Sequence, residues 1–145
     1  MNRNIFVIHG HDSDSLSGLE ELLMNLGCKP IILVKEEYST HTIIEAFEKA
    51  AAKCSFAVAL LTPDDKQAAN LPTKARYRAR QNVILEIGWF MAKLGRRGVL
   101  LLHRGRVELP SDLLGILYIP FKRSVFEKKG RIRTALQNSG VISRR

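Results

Sequence analysis

The sequence predicts an α/β domain built on a five-stranded parallel sheet, doubly wound with helices on both faces. Two observations carry this expectation. Runs such as Ile-Phe-Val-Ile at 5–8 and Phe-Ala-Val-Ala-Leu-Leu at 56–61 are apolar at every position, as in strands buried on both faces; strands with one wet face alternate instead. Between these runs lie stretches with apolar residues at helical spacing. Strand and helix therefore alternate along the chain, which leads to right-handed crossovers.

Taken in order, the first strand at 5–8 opens into the polar loop His9-Gly10-His11-Asp12. Ser17 and Glu20 form a capping box for a first helix, with Leu19, Leu22, Leu23 and Leu26 on one face and Gly27 at its end. A second strand is expected at 31–34, followed by a polar loop at 35–41. Thr42 and Glu45 make another capping box, and Ile43, Ile44, Phe47, Ala50 and Ala51 line the apolar face of a second helix. The third strand, 56–61, ends in Thr62-Pro63-Asp64-Asp65. Residues 66–78 are polar and basic, a long loop of the kind that often carries function.

A third helix at 81–94 places Val83, Ile87, Phe90 and Leu94 on one face, with Gly95 closing it. Strands at 99–102 and 116–119 follow, joined by a loop at 104–114 with at most one turn, and a basic helix spans 124–138. The order matches a flavodoxin-like sheet. One domain is expected over 1–142, with 143–145 as a basic end.

Composition narrows the function. With 46% hydrophobic and 26% charged residues, the 145-residue chain is ordinary globular protein. No apolar run is long enough for a membrane-spanning helix. No signal peptide is expected and the location is expected to be cytoplasmic. Cys28 and Cys54 fit neither a disulfide framework nor a zinc spacing. The net charge of +9 is uneven: residues 1–70 balance at −4, residues 71–120 at +6 and residues 121–145 at +7. A basic half suggests an anionic partner, although a solvated charged surface gives the same composition.

In an open parallel sheet, ligands bind beyond the carboxyl ends of the strands, near the switch in strand order. His9, Gly10, His11, Asp12, Thr42, Thr62, Asp64, Asp65 and the start of the third helix, with Arg80 and Asn82, fall there. No Gly-x-Gly-x-x-Gly and no phosphate-loop lysine motif occurs. Asp12, Asp14, Asp64 and Asp65 suggest a phosphoreceiver pocket, but Leu61-Thr62 stands where the phosphoacceptor aspartate belongs. His9, His11 and Asp12 lack the further ligands a metal site requires, so no metal is expected.

Glu86 stands out. It lies roughly 70° from the centre of the helix's apolar face, among Ile84, Leu85 and Ile87, with no other acidic residue between Asp65 and Glu108. A carboxylate at the edge of a buried face is partly desolvated, which suits catalysis. The same position suits an edge glutamate paired with Lys93 or a nearby arginine. Trp89, one turn on, offers either a stacking face or a packing group.

Ile5-Phe6-Val7-Ile8-His9-Gly10-His11-Asp12, Thr42-Ile43-Ile44-Glu45 and Leu60-Leu61-Thr62-Pro63-Asp64-Asp65 then recur with Arg78-Ala79-Arg80-Gln81-Asn82-Val83-Ile84-Leu85-Glu86-Ile87-Gly88 and Val107-Glu108-Leu109-Pro110-Ser111-Asp112. In this order and spacing, over about residues 4–120, they resemble the bacterial TIR-like, nucleotide-binding domains of cyclic-nucleotide anti-phage systems, including those fused to STING domains. The resemblance implies a TIR fold and NAD⁺ glycohydrolase activity with Glu86 as the catalytic glutamate. NAD⁺ would be the substrate, with no separate cofactor. Substrate contacts would come from His9, Gly10, His11, Asp12, Thr42, Thr62, Asp64, Asp65, Arg80, Asn82 and Trp89. It further implies self-association through the loop at 35–41, the BB loop, and a sensor domain or protein of a cyclic-nucleotide system. Neither a membrane nor nucleic acid is expected as a partner. A non-enzymatic TIR adaptor and a nucleotide sensor that binds without cleaving remain the alternatives.

Overall fold

Each strand of the sheet forms where the sequence is apolar enough to be covered on both sides. In the computed structural model, residues 1–33, 42–63, 81–105, 107–110, 113 and 115–144 are described, together with the backbone of 65–66 and 77–78. Strand β1 (Asn4–Ile8) is buried from Ile5 to Ile8, and strand β3 (Phe56–Leu61) is buried throughout. Between them, helix α1 (Ser13–Asn25), strand β2 (Lys29–Ile32) and helix α2 (Ile43–Ala51) make the first two crossovers. After β3, the backbone of 65–66 (β4) pairs antiparallel with that of 77–78 (β5). Helix α3 (Gln81–Leu94) and a 3₁₀ turn (Arg96–Gly98) lead into strand β6 (Val99–Arg104), then strand β7 (Leu117–Phe121). A 3₁₀ turn (Val125–Lys128) and helix α4 (Lys129–Asn138) complete the described elements.

The sheet runs β2-β1-β3-β6-β7, with every neighbouring pair parallel. Strand alternation divides the core in two. Ile5, Val7, Val58, Leu60, Leu100 and Leu102 meet Leu19, Leu22 and Leu23 of α1 and Ile132 and Leu136 of α4. Phe6, Ile8, Ala57, Ala59, Leu61 and Leu101 meet Phe47 of α2 and Val83, Ile87 and Phe90 of α3. This is the flavodoxin-like α/β arrangement expected of the sequence.

Several boundaries differ from the sequence reading. Helix α1 starts at Ser13 rather than beside Ser17, because Asp12 caps it: Ser15 N donates to Asp12 Oδ1 at 3.0 Å and Ser15 Oγ to Oδ2 at 2.8 Å. Strand β2 begins at Lys29 and contains Pro30. Lys29 N donates to Arg3 O at 2.9 Å, so by alternation the missing N–H of Pro30 faces the unpaired sheet edge, where it costs no ladder bond. Strand β7 ends at Phe121, two residues beyond the expected strand. The last helix is broken, because the Ser124 hydroxyl and the Glu127 carboxylate close a capping box over 125–128 before α4 begins.

Candidate functional site

The carboxyl edge of the sheet gathers the polar residues. Strand β1 delivers His9, Gly10, His11 and Asp12 there, β3 delivers Thr62, and β6 delivers His103 and Arg104. Helices antiparallel to the strands start at the same edge, which brings Thr42 at the head of α2, and Asn82 and Glu86 in the first two turns of α3, to that side.

Asp12 is the most constrained of them. Besides the two bonds from Ser15, its Oδ2 lies 2.8 Å from Arg104 Nη2. Burial pushes the carboxyl pKa up, but the Ser15 backbone and hydroxyl bonds, with the Arg104 charge, outweigh it and hold the group below its ordinary 3.8. The loop after β1 is thereby tied to the end of β6, two strands away. His9 is half-buried, its Nδ1 3.0 Å from Gly10 O. A carbonyl only accepts, so Nδ1 carries the hydrogen in this contact.

His103 sits on the α2–α3 face of the sheet. Its Nε2 accepts from Val107 N at 3.2 Å, and its ring lies 5.0 Å from that of Tyr118. Burial pushes the imidazole pKa below its ordinary 6.5 and the Tyr118 phenol above its ordinary 10.0. Both His103 and Arg104 escaped the sequence reading, which ended the fourth strand at Leu102. The signal available was their place as the first polar residues after a four-residue apolar run, the position already used to select His9 and Thr62.

Helix α3 buries Val83, Ile87 and Phe90 and leaves Glu86 half-buried beside them, engaged with a neighbouring group. Thr62 is buried at the end of β3 and likewise engaged. Among the described residues, no three His, Cys, Asp or Glu side chains converge on a metal position, and no helix is long and apolar enough to cross a membrane.

Residues 4–123 match the family described as the CAP12/Pycsar effector protein, TIR domain. The chain belongs to this family. It is 46% identical over 118 residues to the uncharacterized protein YuaY of Escherichia coli, covering 81% of this chain and 40% of YuaY. Protein tirC of Dictyostelium discoideum is 30% identical over 138 residues, 88% of this chain and 69% of tirC. The Pycsar effector protein PaPycTIR of Pseudomonas aeruginosa is 41% identical over 81 residues, 54% of this chain and 26% of PaPycTIR. The chain thus spans less than half of YuaY and of PaPycTIR.

The remaining residues expected to line the TIR site have these places. Thr42 caps α2, its Oγ1 accepting from Glu45 N at 3.3 Å, and Asn82 is exposed. The Trp89 indole packs edge-on against Phe47 at 5.2 Å and Phe90 at 5.1 Å, with Lys93 Nζ 5.0 Å over its ring. It joins α2 to α3. His11 is exposed and engaged. The loop at 35–41, Asp64, Arg80 and the Asp65 side chain lie outside the described residues.

Proposed function

We propose that this TIR domain cleaves NAD⁺ to nicotinamide and ADP-ribose, linear or cyclised, with Glu86 as the catalytic carboxylate, as an effector in anti-phage defence. The observation that carries the reading is a half-buried carboxylate in the second turn of α3, whose start lies at the carboxyl edge of the sheet. Breaking the bond between C1′ of the ribose and the nicotinamide nitrogen sends the electron pair onto the cationic ring, which leaves neutral and needs no proton. Positive charge builds on the ribose instead. A carboxylate beside it stabilises that charge or attacks C1′; water or an internal nucleophile then takes the carbon and loses a proton.

Self-association and control by a cyclic-nucleotide sensor are part of the same proposal. Ile43 and Ile44 at the head of α2 and Leu85 beside Glu86 are large, exposed apolar side chains, a surface suited to a neighbouring copy that completes the site.

The test is nicotinamide release from NAD⁺ by the wild type and by Glu86→Gln, dilute and then concentrated with a crowder. Release that appears on crowding and falls about 10²-fold or more in the variant supports the reading. Release unchanged in the variant removes Glu86 from the mechanism. Assembly without release under every condition favours the adaptor instead.

A further inference from the structure

The opposite, amino edge of the sheet carries a second cleft, of about 500 Å³, within the range of small-molecule sites. Leu117, the first residue of β7, is its exposed apolar wall, while Phe56 and Val99, the first residues of β3 and β6, lie almost wholly covered beneath, at 2% and 1% exposure. Arg96, Arg97 and Arg144 line it, and among the described residues no carboxylate does.

The turn that presents two of these arginines is built rather than incidental. Gly95 has φ +73°, a conformation that side chains disfavour, and a Cβ at Gly98 would stand 2.4 Å from Leu94 Cβ. Arg96 and Arg97 are therefore held on a short 3₁₀ turn locked at both ends. The Arg96 guanidinium lies over Gly115, its Nη1 3.5 Å from where a Cβ there would be. Arg144 is aimed by a 2.9 Å bond from its Nη2 to Asn138 Oδ1.

The carboxyl end of α4 also borders the cleft, and its partial negative charge would oppose an anion. Three of its last four carbonyls are already taken: Ser139 N bonds Ala135 O, Gly140 N bonds Gln137 O and Val141 N bonds Leu136 O. Three full positive charges beside an apolar wall outweigh that residue of dipole.

We propose that this cleft binds a phosphate-bearing small molecule with a flat apolar body, the phosphate on the arginine forks and the body against Leu117. Guanidinium groups pair with phosphate oxygens bidentately, and the apolar wall gives the body a place that free phosphate cannot use. The cleft lies one strand length, roughly 17 Å, from the carboxyl edge, and so is separate from the Glu86 site.

The experiment titrates the full chain with AMP, adenosine and inorganic phosphate, read by amide chemical shifts. AMP is expected to shift Gly115 and Ser139 saturably, whatever it does at Gly10 and Thr62. The Arg96→Gln/Arg97→Gln variant should weaken that binding about tenfold or more, and adenosine and phosphate should each bind at least about tenfold less tightly than AMP. Arg133→Gln, in the neighbouring groove beside Arg3, should leave it unchanged. The proposal is overturned if AMP leaves Gly115 and Ser139 unmoved at millimolar concentration, if adenosine binds there as well as AMP, or if Arg133→Gln weakens binding as much as the double variant. No turnover is read, so failure here leaves the Glu86 reading standing.

Discussion

Asp12→Ala removes three interactions at once, and their sizes can be worked out separately. The N-cap bond to Ser15 N is worth about 1 kcal/mol. Leaving the Ser15 hydroxyl without its charged acceptor costs about 1–2 kcal/mol more, because Ser15 is buried. The Arg104 pair adds at most about 0.5 kcal/mol, since the Arg104 side chain is 39% exposed and screened. The expected loss is about 3 kcal/mol at neutral pH, or roughly 9 °C in Tm for a chain of this size. Asp12→Asn keeps a capping oxygen and should lose about half as much. The sign of the pH dependence follows from the lowered pKa of Asp12. As pH falls, the unfolded chain takes up the proton first. The stability Asp12 contributes is complete above the ordinary carboxylate range and is lost as pH falls through the folded value. Urea unfolding of wild type and Asp12→Ala, at pH 7 and at successive steps below pH 4, checks both points. A loss under about 0.5 kcal/mol at pH 7, or a difference that stays constant into acid, would refute the reasoning.

Two further outcomes follow from the packing. Phe47 meets Phe6 at 5.3 Å, Trp89 at 5.2 Å and Phe90 at 5.8 Å, all edge-on, and is buried between α2 and the sheet; Phe47→Ala should cost about 3–5 kcal/mol in denaturant unfolding, and a cost below about 1.5 would mean the helix simply repacks. Cys28 and Cys54 are both buried, burial raising both thiols and pushing Cys54 up to about 11; native protein at pH 8 should resist a disulfide-exchange reagent until it unfolds, and rapid labelling of either thiol in the native state would show that its cover opens locally.

The strands were legible because burial on both faces leaves no room for polar alternation, so continuous apolar runs at 5–8 and 56–61 carried the topology. Their ends were less so. Where an element starts or stops depends on tertiary partners that no local pattern contains. Asp12 could be read as a loop residue until Ser15 and Arg104 are seen around it, and the polar end of β6 is explained by partners distant from it in the fold, Asp12 for Arg104 and Tyr118 for His103. The same cause split the basic helix: Ser124-x-x-Glu127 is a visible capping box, but it closes a 3₁₀ turn whose carboxylate also accepts from Arg123 N at 2.7 Å and Lys122 N at 3.2 Å. The half-buried position of Glu86 was legible through its place on the rim of an apolar helical face. His103 carried the same signal as His9 and Thr62, the first polar residue after an apolar run, but its contacts with Val107 and Tyr118 are tertiary and have no local pattern.

The arrangement at the carboxyl edge also bears on which groups the proposed reaction can use. Arg104 is engaged by Asp12 across β3, so the pyrophosphate of NAD⁺ would share that cation with a carboxylate. The transition state carries positive charge on the ribose, and a protonated imidazole at the same edge would oppose it. Burial keeps His103 neutral at neutral pH, with its Nε2 occupied as an acceptor for Val107 N. His103 can therefore neither donate a proton to the leaving group nor repel the developing cation. A leaving group that departs without a proton has no need of the first, and a lone carboxylate works best without the second. The demand falls on Glu86 to supply negative charge; at this edge the one described arginine is paired with Asp12, and the half-buried His103 adds no cation at neutral pH.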